Sequence, residues 1–134
     1  MTEASPSQPP LPTDAELGIL RVLWAHGSRT VREIHEVLAR ERPIGYTSVL
    51  KVLQVMHGKG LVERDESNRS HSYRAVLAEE ETQRRLVADL AQKAFGGSRA
   101  LLAVRALSQE RASAREIEQI LGLLRDADTG EQAP

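Results

Sequence analysis

The stretch Gly45–Gly60, GYTSVLKVLQVMHGKG, constrains this chain more than any other. Val49, Leu50, Val52, Leu53 and Met56 recur at helical spacing and form a stripe fit for a core. Tyr46, Thr47, Ser48, Lys51 and Gln54 put hydroxyl, amide and ammonium groups at the front end and outer side. Gly58 and Gly60 are expected to stop the helix, with Lys59 in its last turn, where a cation suits the negative end of the helix dipole. Two readings fit. Such a front end can reach into a DNA major groove, where these groups meet base edges and phosphates. A buried core helix with a polar edge would carry the same residues.

The sequence before it decides how that helix is held. Residues 1–12 are rich in Pro and Ser and lack an apolar period, so a disordered tail is expected. Thr13-Asp14-Ala15-Glu16 is a capping box opening a helix that carries Leu17, Leu20, Val22, Leu23 and Trp24 and ends at His26-Gly27. Trp24, the one tryptophan, reads as a core or interdomain anchor. Ser28-Arg29 can pair as a small strand. Thr30-Val31-Arg32-Glu33 is a second capping box, with Val31, Ile34, Val37 and Leu38 on one face of the following helix. Residues 41–45 must turn, because Pro43 disfavours helix before it and Gly45 frees the backbone. Two helices, a turn and a third helix make a helix-turn-helix order.

After Gly60 the period changes to alternation. A strand from Leu61, a polar cluster over 65–70 and a returning strand over 71–76 predict a β-hairpin. Val62, Tyr73 and Val76 are expected to face the helices, with Arg64, Arg69, His71 and Arg74 at or beside the tip. Three helices and a hairpin form a winged-helix arrangement, in which Arg69 at the wing tip is a candidate for phosphate contact. A solvated hairpin face, its arginines paired with Glu63, Asp65 and Glu66, is the plainer alternative.

From Ala78 onward the pattern is helical. Glu79-Glu80-Glu81 suits a helix start. Leu86, Val87, Leu90, Ala91, Ala94 and Phe95 form one stripe, broken by Gly96-Gly97. Ser98 can cap a helix bearing Leu101, Leu102, Val104 and Leu107. Ser113–Glu116 is a third capping box, followed by Ile117, Ile120, Leu121 and Leu124. About 50 residues in three short amphipathic helices are too few to bury these stripes alone. They are therefore expected to pack against a second copy, giving a two-fold dimer, with folding back onto the winged domain as the rival. The expected organisation is a tail at 1–12, a winged-helix domain at 13–76, a helical dimerisation region at 77–127 and a frayed end at 128–134.

Composition narrows the chemistry. The chain has no cysteine, which removes disulfides, thiolate metal sites and a cysteine nucleophile. Its four histidines, His26, His35, His57 and His71, are scattered, and HExxH, EF-hand, GxSxG and Walker patterns are missing. No enzyme activity, metal or cofactor is expected. The net charge of -1 does not announce a nucleic-acid binder. No run of 18 apolar residues exists to insert into a membrane, and MTEASPSQPPLP lacks the order of a signal peptide, so a cytoplasmic location is expected.

Taken in order, LPTDAELGILRVLWAHGSRTVREIHEVL, GYTSVLKVLQVMHGKGLVERD and NRSHSYRA resemble the penicillinase-repressor family of transcriptional regulators, which includes BlaI, MecI and the copper-responsive CopY. The resemblance rests on the first helix from Ala15 to Trp24, the Thr-Val-x-Glu-Ile start of the second, the Tyr-Thr-x-Val start of the third, and Lys-Gly-Leu-Val leading into the wing. His71 stands where the family has an aromatic residue. The resemblance covers about residues 12–125. It implies a homodimeric repressor on an inverted-repeat operator in double-stranded DNA. Tyr46, Thr47, Ser48 and Lys51 would contact bases or phosphates, Arg69 would act from the wing, and Thr30 and Arg32 would anchor phosphate. It also implies a dimer built by the C-terminal helices, with release from DNA by proteolysis through a membrane metalloprotease sensor. Staphylococcal members are cut at an Asn-Phe pair; the matching place here is Arg105-Ala106. The copper-responsive cysteine motif is missing. A ligand-gated regulator and a winged-helix protein–protein adaptor are the competing functions.

Overall fold

Both N-terminal capping boxes close, and they set where the first two helices begin. The computed structural model describes residues 8–109 and 114–132. The Glu16 N–H donates to Thr13 Oγ1 at 3.3 Å and the Thr13 N–H to Glu16 Oε1 at 2.9 Å. This opens α1 (Asp14–His26). The Thr30–Glu33 pair repeats the device at 3.2 and 2.9 Å and opens α2 (Val31–Ala39). Thr30 has extended backbone, so the short strand β1 (Arg29–Thr30) runs directly into α2.

The third helix, α3 (Tyr46–Lys59), passes through Gly58 and ends only at Gly60, whose φ of 83° is left-handed. That conformation favours glycine, so Gly60 and not Gly58 is the stop. The hairpin follows as β2 (Val62–Asp65) and β3 (Ser72–Ala75). β3 is the middle strand of a three-stranded antiparallel sheet, in the order β1-β3-β2. Arg29 opposes Tyr73, Val62 opposes Ala75 and Arg64 opposes Tyr73. The pairing strand is Arg29–Thr30, one residue later than expected.

Ile19, Leu20, Leu23, Ile34, Leu38, Val49, Leu53, Met56, Leu61, Val62 and Tyr73 are buried together between the three helices and the sheet. Burying side chains of this size contributes on the order of 1.5–3 kcal/mol each. Val62 and Tyr73 face inward as expected. Val76 does not: alternation from Tyr73 turns Ala75 inward and leaves Val76 exposed. Trp24 packs against the core and donates its indole N–H to the Leu77 carbonyl at 3.0 Å.

The chain divides into two compact units between Leu86 and Val87, inside α4 (Glu79–Ala94). The sequence reading divides it after residue 76. The first turns of α4 belong with the N-terminal unit because Trp24 holds Leu77 and Thr82 is buried. Arg85 Nη2 also donates to the Pro9 carbonyl at 2.5 Å. Pro9, Leu11 and Pro12 are half-buried, so part of the described end of the expected tail packs against the unit. Residues 1–7 lie outside the described residues, as does Ser113 of the third capping box.

In the second unit α4 ends at a left-handed pair, Gly96 and Gly97, where the Gly97 N–H donates to the Ala91 carbonyl at 2.8 Å. Ser98 Oγ accepts the Leu101 N–H at 3.0 Å and opens α5 (Arg99–Gln109). The last helix, α6 (Ala114–Gln132), continues past residue 127, where its end was expected. Among the described apolar side chains of this unit only Ala91 is buried. Leu90, Leu101, Ile117, Leu121 and Leu124 are exposed, and Leu102 and Ile120 are half-buried. Leu86, the last residue of the first unit, is half-buried too. No described helix is long and apolar enough to cross a membrane.

Candidate nucleic-acid interface

The front of α3 is open by construction. Gly45 is its N-cap and offers no side chain to the free N–H groups, and no acid sits in the first turn. A helix start left this way favours an anion. Val49, Leu53 and Met56 are buried, and the same periodicity turns Thr47, Ser48 and Lys51 to solvent. Tyr46 is also exposed.

Two polar contacts hold α3 in place. At its rear, Lys59 Nζ donates to Glu16 Oε2 at 2.7 Å, joining α3 to the capping box of α1. Glu16 is buried, and burial alone would raise its pKa. The hydrogen bonds from Lys59 and from the Thr13 N–H outweigh that and hold its carboxyl below the ordinary value. At its front, His35 Nε2 lies 2.8 Å from the Ile44 carbonyl, and the His35 ring meets the Tyr46 ring nearly edge-on.

The wing spends most of its charge internally. Arg64 donates to Glu66 from both Nε and Nη2, at 2.7 and 2.6 Å, and Arg74 pairs with Glu63. Asp65 Oδ1 accepts the Ser67 N–H at 3.0 Å and shapes the turn. The plainer reading of the hairpin therefore describes Arg64 and Arg74. It does not describe Arg69, which is exposed and has no carboxylate partner among the described residues.

Thr30, Arg32, Tyr46 and Arg69, from three separate stretches of the chain, line one open groove of about 310 Å³. Val31, Leu50 and Tyr73 supply its apolar lining, and Ser70 and His71 complete its wing side. Arg32 pairs with Glu36 at 3.7 Å across two exposed side chains, a contact worth at most about 1 kcal/mol, so the guanidinium is available. The Thr30 hydroxyl is engaged in its capping box, and the Thr30 N–H keeps the Glu33 carboxyl below its ordinary pKa. Thr47, Ser48 and Lys51 do not line this groove; they occupy the exposed outer face of the same helix.

Sequence reasoning did not single out Leu50, Ser70 or His35 for this site. Leu50 reads as part of the apolar stripe, and Ser70 as turn chemistry. Alternation puts His71 near the tip and gives it no role. His35 carries no signal, because its partner is a backbone carbonyl across a turn. The Arg105–Ala106 pair lies exposed within α5, where the Arg105 carbonyl accepts from Ser108 Oγ at 3.3 Å.

A second open groove, of about 630 Å³, lies on the N-terminal unit along α1 and the end of α2. Leu17, Val22 and Leu38 line it, with Arg21 and Arg42 beside Asp14, Glu41 and Glu79.

The chain matches the family described as Penicillinase repressor over residues 12–126. It is 34% identical over 119 residues to the transcriptional regulator BlaI of Mycobacterium tuberculosis (strains CDC 1551 / Oshkosh and H37Rv), covering 87% of this chain and 85% of that protein. Among solved structures, the DNA-binding domain of the repressor BlaI superposes with a TM-score of 0.50 at 23% identity, over 55% of this chain and 90% of that one. H. salinarum RosR gives 0.51 at 21% identity, over 89% and 96%. Identities this low speak for the winged-helix fold alone; the family match spans nearly the whole sequence, and the chain belongs to the penicillinase repressor family.

Proposed function

We propose that this chain, a transcriptional repressor of the BlaI type with a winged-helix DNA-binding domain, acts as a homodimer on an inverted-repeat operator. The observation that carries the reading is the shared groove of Thr30, Arg32, Tyr46 and Arg69 beside the exposed polar face of α3. Thr47, Ser48 and Lys51 meet base edges or phosphates in the major groove, and Tyr46 stands at the groove's edge. Arg69 reaches a phosphate from the wing, and Thr30 and Arg32 anchor the backbone at the start of α2. Direct contact by the wing is favoured by Arg69's lack of a carboxylate partner among the described residues.

The dimer forms through the C-terminal helices. Leu90, Leu101, Ile117, Leu121 and Leu124 are exposed in the single chain, and Leu86, Leu102 and Ile120 half-covered, which a second copy would bury. Two winged domains then address two half-sites on one face of the duplex. Derepression follows cleavage near Arg105–Ala106 in α5, through a membrane metalloprotease sensor, which separates the dimer helices from one another. A helical bond must unwind before a protease can cut it, so the monomer–dimer balance would set its susceptibility.

The experiment is a salt-titrated protection assay with the DNA upstream of the chain's own gene. A two-fold-symmetric footprint that weakens steeply with salt is expected, because phosphate contacts release counterions. Salt-insensitive or absent protection there and across genomic fragments would instead point to a winged-helix adaptor for proteins. The larger groove along α1 favours a second reading, a small-molecule input. In that case a ligand would lower DNA affinity with the chain left uncut.

A further inference from the structure

The front of α3 has no fastening of its own. Gly45 provides no side-chain cap, and Pro43 in the preceding turn has no N–H to give. The residue that supplies one is on α2. His35 is half-buried, and its Nε2 lies 2.8 Å from the Ile44 carbonyl oxygen. A carbonyl only accepts, so Nε2 carries the hydrogen in this contact. Ile44 packs its own side chain against the core, so the bond joins α2 to a point already anchored from below.

The same imidazole also meets the Tyr46 ring. Their centroids are 6.0 Å apart and their planes 80° from one another, the edge-to-face arrangement that aromatic pairs prefer. Tyr46 is the first residue of α3 and leaves nearly half its surface free, 47%, on the groove it shares with Thr30, Arg32 and Arg69. His35 itself does not line that groove. One side chain thus fixes both the backbone just ahead of α3 and the ring that α3 presents first.

We infer that His35 is a positioning residue for DNA recognition, holding the start of α3 through the Ile44 carbonyl and setting the Tyr46 ring without touching nucleic acid. This rests on the DNA-binding reading above. Loss of His35 frees the Tyr46 ring, which must then be ordered again each time DNA binds.

The test is a double-mutant cycle on the full chain, using the duplex that the parent protects and anisotropy titrations at several salt concentrations. H35A is expected to weaken binding by about tenfold, the size of one good hydrogen bond. H35F keeps a ring against Tyr46 but no donor, and is expected to lose less. In a Y46A background the H35A loss should shrink to that of H35F, because the ring contact is gone and only the hydrogen bond to the Ile44 carbonyl remains to be lost. The salt slope should stay at the parent value, since no phosphate contact is removed. Equal H35A losses in both backgrounds, a slope lowered by about one, or parent-like affinity of H35A would each overturn the positioning role. Thermal melts accompany the series; if H35A does not fold, the affinity of H35F decides, and a parent-like value overturns the role of the Ile44 hydrogen bond. A parent chain that protects no DNA would sink the DNA-binding reading and this one with it; a binding parent with indifferent His35 variants would sink this one alone.

Discussion

The two units of the molecule treat apolar side chains in opposite ways. The N-terminal unit closes its core: Ile34, Val49, Leu53 and Met56 have no exposure at all. The C-terminal unit has helical stripes of similar quality yet leaves Leu121, Leu123 and Leu124 at 49%, 70% and 61% exposure. Amphipathic patterning predicts that a face will be covered and is silent on what covers it. In the first unit the cover is the same chain, because three helices and a sheet surround one point. In the second, the described part of α5 and α6 buries none of its apolar residues, and the proposed dimer supplies the missing half.

The sharpest way to break this contrast is to damage each unit separately. L53A empties a fully buried position and is expected to cost about 3 kcal/mol of unfolding free energy in chemical denaturation, whatever the protein concentration. L121D puts a charge into the proposed interface. Sedimentation should then find monomer where the parent is dimeric, with the dimer dissociation constant raised at least about a hundredfold and the N-terminal unit's near-ultraviolet spectrum intact. A dimer that tolerates L121D would return these helices to some other cover.

E16Q probes the polar contact that ties α1 to α3 and should cost about 1–3 kcal/mol. Its pH dependence has a definite sign. The Glu16 carboxyl titrates below its ordinary value in the folded chain. Its contribution is therefore fully present above the unfolded carboxyl pKa, about 4.3, and is lost as pH falls through the lower folded value. The variant should show a shallower acid limb in stability against pH; an unchanged limb would remove Glu16 from the account. K51A touches neither the N-terminal core nor the proposed interface and is expected to weaken operator binding by about tenfold. The smallest effect belongs to R69A, expected to lower the salt slope by about one with uniform weakening across sequences. If K51A binds as the parent does, the recognition face is not where we have drawn it.

Much of the N-terminal unit is legible in the sequence because its rules are local. Thr13–Glu16 and Thr30–Glu33 are bonds between residues three apart, so the string that spells them also forms them. The stop of α3 was legible to within two residues, and only the left-handed backbone at Gly60 separates it from Gly58. The hairpin and its phase were legible from alternation, since Val62 and Tyr73 face inward; Val76, three residues from Tyr73 and just past β3, falls off that alternation, and Ala75 takes the inward place. The site was partly legible. Tyr46, Thr47, Ser48 and Lys51 share one helix, whereas Arg69 joins Thr30, Arg32 and Tyr46 only when the wing folds back.

By itself the sequence determined the order of elements, the helix starts, the apolar stripes and the family, since each is written in neighbouring residues and in spacing. Tertiary structure alone decided that Lys59 meets Glu16, that His35 holds the Ile44 carbonyl and that Arg69 is left unpaired by carboxylates among the described residues while Arg64 and Arg74 are spent. Charge and hydrogen-bonding capacity belong to every such residue in the string. Which partner each one finds depends on distances that exist only after the core has closed, and the core closes on volume and burial, which do not distinguish one exposed arginine from the next.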